Sequence, residues 1–191
     1  MKRDMGRIEE ALALARRAQR LDPVSAGAQM NVGMILYFAR RYDDAVVAIK
    51  ETLDLDPGFG PAYVTLGRIY VAKGMPDRAV AELERAQGLM GHRPDVTTPH
   101  AWVLARAGRP REARAMLDEL RRISKPRDPA PIRLAMIHIG LGEADQAFAA
   151  LERAFEARDW QMALLNVEPL FDTVRPDPRF AALVERVGLP R

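Results

Sequence analysis

The sequence predicts an all-α protein, a right-handed α-solenoid of antiparallel helical hairpins, and three observations carry that prediction. An alanine recurs every 34 residues, at Ala11, Ala45, Ala79, Ala113, Ala147 and Ala181. Five residues before the first five of them lies a second column, Gly6, Arg40, Gly74, Gly108 and Gly142, in which four of the five residues are glycine. Apolar residues around both columns follow helical spacing, as Tyr63, Leu66 and Tyr70 do at i, i+3 and i+7. A one-methyl residue at a fixed period marks a place where two helices approach closely. A repeat of this length is one supersecondary unit that buries its apolar face only against its neighbours.

Each element follows from those columns. Small or apolar residues come four after the alanine (Ala15, Ile49, Leu83, Leu117, Leu151) and seven after it (Ala18, Thr52, Ala86, Leu120, Ala154). Pro23 and Pro57 close the first units, each inside a Leu-Asp-Pro tripeptide. Gly74 and Gly108 suit a left-handed helix end, and Pro76 and Pro110 suit the first positions of the helix that follows. The pattern predicts helices near 6–20, 26–39, 42–55, 60–73, 76–90, 98–107, 110–123, 129–141, 144–157, 161–167 and 177–187. Thr98 is read as an N-cap with Pro99 at the first helical position, leaving residues 91–97 as a longer loop. Pro169 and Pro176 interrupt the sixth unit, and Asp177 caps a last helix that stops near Gly188.

These columns resemble the tetratricopeptide repeat, W-x2-L-G-x2-Y followed by A-x3-F and P. The unit from Gly60 matches best, with Tyr63, Leu66, Gly67, Tyr70, Ala79, Leu83 and Ala86. The unit from Ala26 supplies Val32, Gly33, Leu36, Ala45, Ile49 and Pro57. Two later units are more degenerate, keeping His100, Ala101 and Leu104, then Leu134, Ala135 and His138. The expected organisation is a single array over 1–191: a half repeat at 1–23, repeats at 26–57, 60–91, 94–125 and 128–159, and a degenerate capping unit at 161–191. The first unit has an outer helix without an inner partner, so an upstream part is expected, or else this end packs against something.

The tail from Glu168 to Phe180, ending in Val187-Gly-Leu-Pro, is similar to the closing segment of tetratricopeptide arrays in bacterial regulators. In those proteins the array follows a winged-helix, kinase or cyclase domain, and this sequence carries none of these. The resemblance implies a non-catalytic protein–protein interaction scaffold, the sensory or scaffolding part of such a regulator. It also places partner contacts on the inner helices. In this register the groove residues are Met30, Met34, Tyr37, Phe38, Val64, Arg68, Thr98, Trp102, Arg106, Ile132, Arg133 and Met136. Such a wall suits an apolar or amphipathic peptide bearing a carboxylate. Met30, Phe38 and Met136 fit a buried core equally well, whereas Arg68 and Trp102 are the stronger groove residues. A chaperone-tail clamp would need Lys and Asn where Met30 and Met34 stand. The alternative function is self-association, with homo-oligomers forming through the incomplete N-terminal end.

Composition narrows the remaining classes. Basic residues exceed acidic ones by only 29 to 26, and there is no cysteine for a disulfide or a thiolate metal site. Residues 106–133 hold nine basic residues (Arg106, Arg109, Arg111, Arg114, Arg121, Arg122, Lys125, Arg127, Arg133) against four acidic ones. A helix face of this kind is ordinarily solvated and paired within the helix, so nucleic acid is not the expected partner. His92, His100 and His138 lack metal-ligand spacing, and Ser25 and Ser124 lie in no nucleophile elbow. No metal, cofactor or catalytic residue is expected. No segment has the length and apolarity of a membrane span or a secretory signal, so a cytoplasmic chain is the expectation.

Overall fold

In a computed structural model the described residues are 2–123 and 130–189. They form ten α-helices: α1 (Lys2–Leu21), α2 (Ala26–Phe38), α3 (Tyr42–Leu55), α4 (Gly60–Ala72), α5 (Pro76–Met90), α6 (Pro94–Arg106), α7 (Pro110–Ile123), α8 (Pro131–Leu141), α9 (Ala144–Glu156) and α10 (Pro178–Val187). Two 3-10 segments, Trp160–Leu164 and Pro169–Phe171, stand between α9 and α10. No strand occurs among the described residues. Contacts group the chain into two compact units, Met1–Gly91 and His92–Arg191.

In the first unit the hairpins α2–α3 and α4–α5 each close around a glycine. A Cβ on Gly67 would lie 2.6 Å from Leu83 Cγ and 3.2 Å from the Ala79 carbonyl oxygen. The alanine column is therefore the floor on which the inner helix rests, and Ala45 and Ala79 are fully buried. Helix α1 packs on α2, with Leu12 buried between them. Ser25 caps α2 by accepting a 3.2 Å hydrogen bond from the Ala28 N–H, a structural role that accounts for this serine.

The hairpin turns repeat one backbone conformation. Gly74, Gly108 and Gly142 have φ of +71°, +77° and +75°, and Arg40 takes the same left-handed conformation at +59°. The residue after each of Arg40, Gly74 and Gly108 then donates its N–H to a carbonyl of the helix just ended, as Met75 does to Tyr70 at 2.8 Å. The glycine column is thus a helix-ending column.

In the second unit the hairpins are α6–α7 and α8–α9, and Ala113 and Ala147 are fully buried. Helix α10 docks on α9 one repeat length away. Arg179 reaches Asp145 at 2.8 Å and Arg186 reaches Glu152 at 2.8 Å, each pair 34 residues apart. Their guanidinium carbons lie over the Phe148 and Phe155 rings, 4.2 and 4.5 Å from the centroids. The segment between is held by buried Glu168, whose carboxylate accepts from the Leu170 N–H at 3.1 Å.

Three expectations are corrected. Helix α1 begins at Lys2 rather than near residue 6. Helix α6 begins at Pro94, with Pro99 inside it and Arg93 rather than Thr98 at the N-cap. The carbonyl that a residue other than proline at 99 would engage belongs to Asp95, which is exposed, so water can satisfy it. The helix expected at 161–167 is instead the 3-10 segment Trp160–Leu164, which the Asp159 side chain caps. Ser124, Lys125 and Arg127 lie outside the described residues.

Candidate functional site

Burial divides most of the twelve expected groove residues by unit, with Tyr37, Arg106 and Arg133 as exceptions. In the first unit Met30 and Met34 of α2 and Val64 and Arg68 of α4 are half-buried. Helices α2 and α4 barely touch, so their facing side chains stay accessible. The Arg68 guanidinium lies 4.8 Å from the centroid of the Tyr37 ring and 6.0 Å from that of Phe38. Its Nη1 is 3.9 Å from the Met34 sulfur. Tyr37 itself is fully buried, packed on Phe38 and Tyr42, and so supports the cation from below rather than facing a partner. The result is an apolar wall of two methionines, a valine and a phenylalanine around one guanidinium that lies over aromatic rings.

The second unit differs. Thr98, Trp102, Ile132 and Met136 are all buried, with Trp102 only 6% exposed. Here α6 packs on α8 as extensively as on its own hairpin partner α7. Gly140 is the physical reason, because a Cβ there would meet the Trp102 backbone at 3.0 Å from the carbonyl oxygen and 3.1 Å from Cα. With the backbones that close, the indole fills the space that an open groove would leave. Trp102, expected as a leading contact, is instead interhelical core, and Thr98, Ile132 and Met136 go with it. Arg106 remains exposed and Arg133 half-buried. The Thr98 hydroxyl and the Trp102 Nε1 are buried without a hydrogen-bond partner.

The histidines are packed groups. His100 is 3% exposed, and burial, helped by the nearby Arg109 cation, pushes its imidazole down to about 4. His138 Nδ1 lies 2.7 Å from a Glu143 carboxylate oxygen, and Arg114 reaches the other oxygen at 2.7 Å. Burial pushes the Glu143 carboxyl up, but these two partners outweigh it and hold the group below its usual range. Five-residue spacing across a hairpin turn hid this pair from the sequence, which shows it only as a His column and a loop Glu. Among the described residues no three His, Asp or Glu are placed to hold a metal, and no helix is long and apolar enough to cross a membrane. The basic segment is paired along its helix: Arg109 with Glu112, Arg121 with Asp118 and Arg122 with Glu119.

Four tetratricopeptide-repeat models match the chain, at residues 2–59, 36–96, 94–119 and 132–159. The chain belongs to the tetratricopeptide-repeat family. Its fold is accordingly an all-α solenoid of tetratricopeptide hairpins. Among solved tetratricopeptide structures it resembles the thermophilic protein TTC0263 of Thermus thermophilus, with a TM-score of 0.67 and 20% identity over 95% of this chain and 93% of that one. It also resembles YrrB, a tetratricopeptide protein with an unusual peptide-binding site (TM-score 0.53, 18% identity, 90% and 89% covered). A third likeness is to the Cut9–Hcn1 hetero-tetramer of the APC/C (TM-score 0.65, 13% identity, 95% and 36% covered). No curated protein matches the chain by sequence. In tetratricopeptide terms, the first unit keeps an accessible inner-helix face and the second has its own filled.

Proposed function

We propose that this protein is a protein-interaction scaffold whose α2–α4 face holds an extended or helical peptide segment by apolar contact and by one carboxylate. The observation that carries the reading is Arg68. It is a half-buried residue whose guanidinium lies over the Tyr37 and Phe38 rings, among half-buried methionines. A cation already packed on rings loses little further freedom on binding, and a guanidinium suits a planar carboxylate. Met30 and Met34 supply adaptable apolar area, which fits partners of varied side-chain shape. A likeness to YrrB, which has a peptide-binding site, supports a peptide as the ligand class. A regulator's sensory or scaffolding role agrees with the tail motif, and a cytoplasmic setting goes with that role.

The test is a binding screen with amphipathic peptides rich in Leu and Met, each made with a free and an amidated C-terminus. The free-acid peptides should bind, and Arg68→Glu should weaken them at least tenfold while helicity is kept. Equal binding by Arg68→Glu and the unchanged protein would remove the α2–α4 face from the function.

A further inference from the structure

Elsewhere in the first unit, residues of α1, α2 and α3 line an open crevice of about 300 Å³. That volume is at the lower end of small-ligand clefts, which run from roughly 300 to 1,000 Å³. Its floor is Val32 and Leu36 of α2 with Ala48 of α3, all buried, and Val47 forms an apolar rim that is 58% exposed. Polar links tie α1 to α3 at both ends. At one end Gln19 bonds Gln29, which donates to Glu51 at 2.5 Å. At the other, Arg41 lies 3.7 Å from Glu9 and 2.7 Å from Asp44.

The next repeat shows what such a space can hold. The residues 34 positions after Val32 and Leu36 are Leu66 and Tyr70, so the floor positions carry a larger aliphatic side chain and an aromatic ring. Tyr70 is 6% exposed, and the Arg78 guanidinium lies 6.0 Å from its ring centroid. Leu36 lacks that ring, and a crevice lies above it. Arg16 lines the same crevice, is exposed, and makes no ion pair with any described residue, whereas Arg41 is already neutralised by Asp44. A slot with an apolar floor, polar walls that include the paired Arg41, Asp44 and Glu51, and one uncommitted cation at its edge is complementary to an aromatic ring with one carboxylate beside it.

We infer that the α1–α3 crevice is a second binding site, which takes the phenyl side chain of a partner peptide, with an acidic residue next to that aromatic pairing to Arg16. The inserted ring stands where Tyr70 stands one repeat later, so the partner completes the apolar layer between α1 and α3. This face is distinct from the α2–α4 wall, and the two can be occupied independently.

The probe is a capped tetrapeptide Gly-Phe-Glu-Gly, titrated to millimolar concentration while the methyl signals of Val32, Leu36 and Val47 are followed by NMR. Saturable shifts of those methyls are expected, and replacing the probe's Phe by Ala should abolish them. Leu36→Tyr, which supplies the ring from within, should weaken binding at least tenfold with the thermal midpoint kept or raised. Should Leu36→Tyr fail to fold, Val47→Lys at the exposed rim must produce the same loss. Arg16→Glu should weaken the probe about fivefold but leave the Gly-Phe-Gln-Gly counterpart unchanged, and Arg68→Glu should alter neither. Absence of methyl shifts, or undiminished binding by Leu36→Tyr or its rim substitute, overturns the site. An equal effect of Arg16→Glu on both probes overturns the carboxylate contact.

Discussion

At positions 40, 74, 108 and 142 the backbone turns left-handed, and three of these residues are glycine. Arg40 is the departure, at φ +59°, where a Cβ sits close to the following carbonyl oxygen. Arg40→Gly should therefore raise stability by about 1 kcal/mol, read as a higher urea midpoint with an unchanged slope. The alanine column makes the opposite demand. Ala79 is fully buried with its carbonyl near Gly67, so Ala79→Leu should overpack the hairpin crossing and cost roughly 1–3 kcal/mol. An unchanged thermal midpoint would refute the close approach. Both columns were readable because each enforces one residue size or one backbone sign. The groove residues were not readable in that way, since a methionine or tryptophan at helical spacing fits a wall and a core alike.

Among the elements, α10 shows how a short helix is kept in place by its neighbour. Arg179 lies between Asp145, Asp177 and the Phe148 ring, and these two carboxylates raise its already high pKa further. Arg179→Ala should leave α2–α5 untouched and raise amide hydrogen exchange through α10, because the cation–ring and ion-pair contacts joining it to α9 are lost together. If α10 amides keep their protection, the apolar residues Phe180, Leu183 and Val184 suffice alone. The contrast between α2–α4 and α6–α8 is also an element-scale matter. Both pairs are inner helices at the same register, yet Gly140 lets α8 sit against the Trp102 backbone and close the space. Gly140 lies outside the alanine and glycine columns, so nothing in the period announces it. Leu36 was visible in the repeat alignment as a smaller residue in the Tyr70 column, but only the placement of α1, α2 and α3 turns that into a crevice.

For the molecule as a whole, pH should act first through His100. Its imidazole is held at about 4 when folded and returns to 6.5 when unfolded, because burial and Arg109 disfavour the charged form. Between those values the unfolded chain binds the extra proton, so stability falls as pH drops from 6.5 to 4 and levels below that. The loss approaches roughly 3 kcal/mol if the whole shift is realised. Urea midpoints at pH 7.5 and 4.5 should differ accordingly, and His100→Gln should flatten that difference. The lowered carboxyls Glu112, paired with Arg109, and Asp177, paired with Arg179, contribute only at more acidic pH, so the two effects separate.

The sequence by itself determined the family, the all-α hairpin architecture and most helix boundaries, because a 34-residue period of small and turn-forming residues admits one way of stacking. It misplaced the start of α6, since Pro99 was read by a local rule, and the carbonyl it leaves without a helical partner belongs to Asp95, an exposed residue. Tertiary structure alone decided which inner-helix side chains a partner can reach. Accessibility depends on the distance between helices that are not neighbours in the chain, and in the second unit that distance turns on a single residue, Gly140.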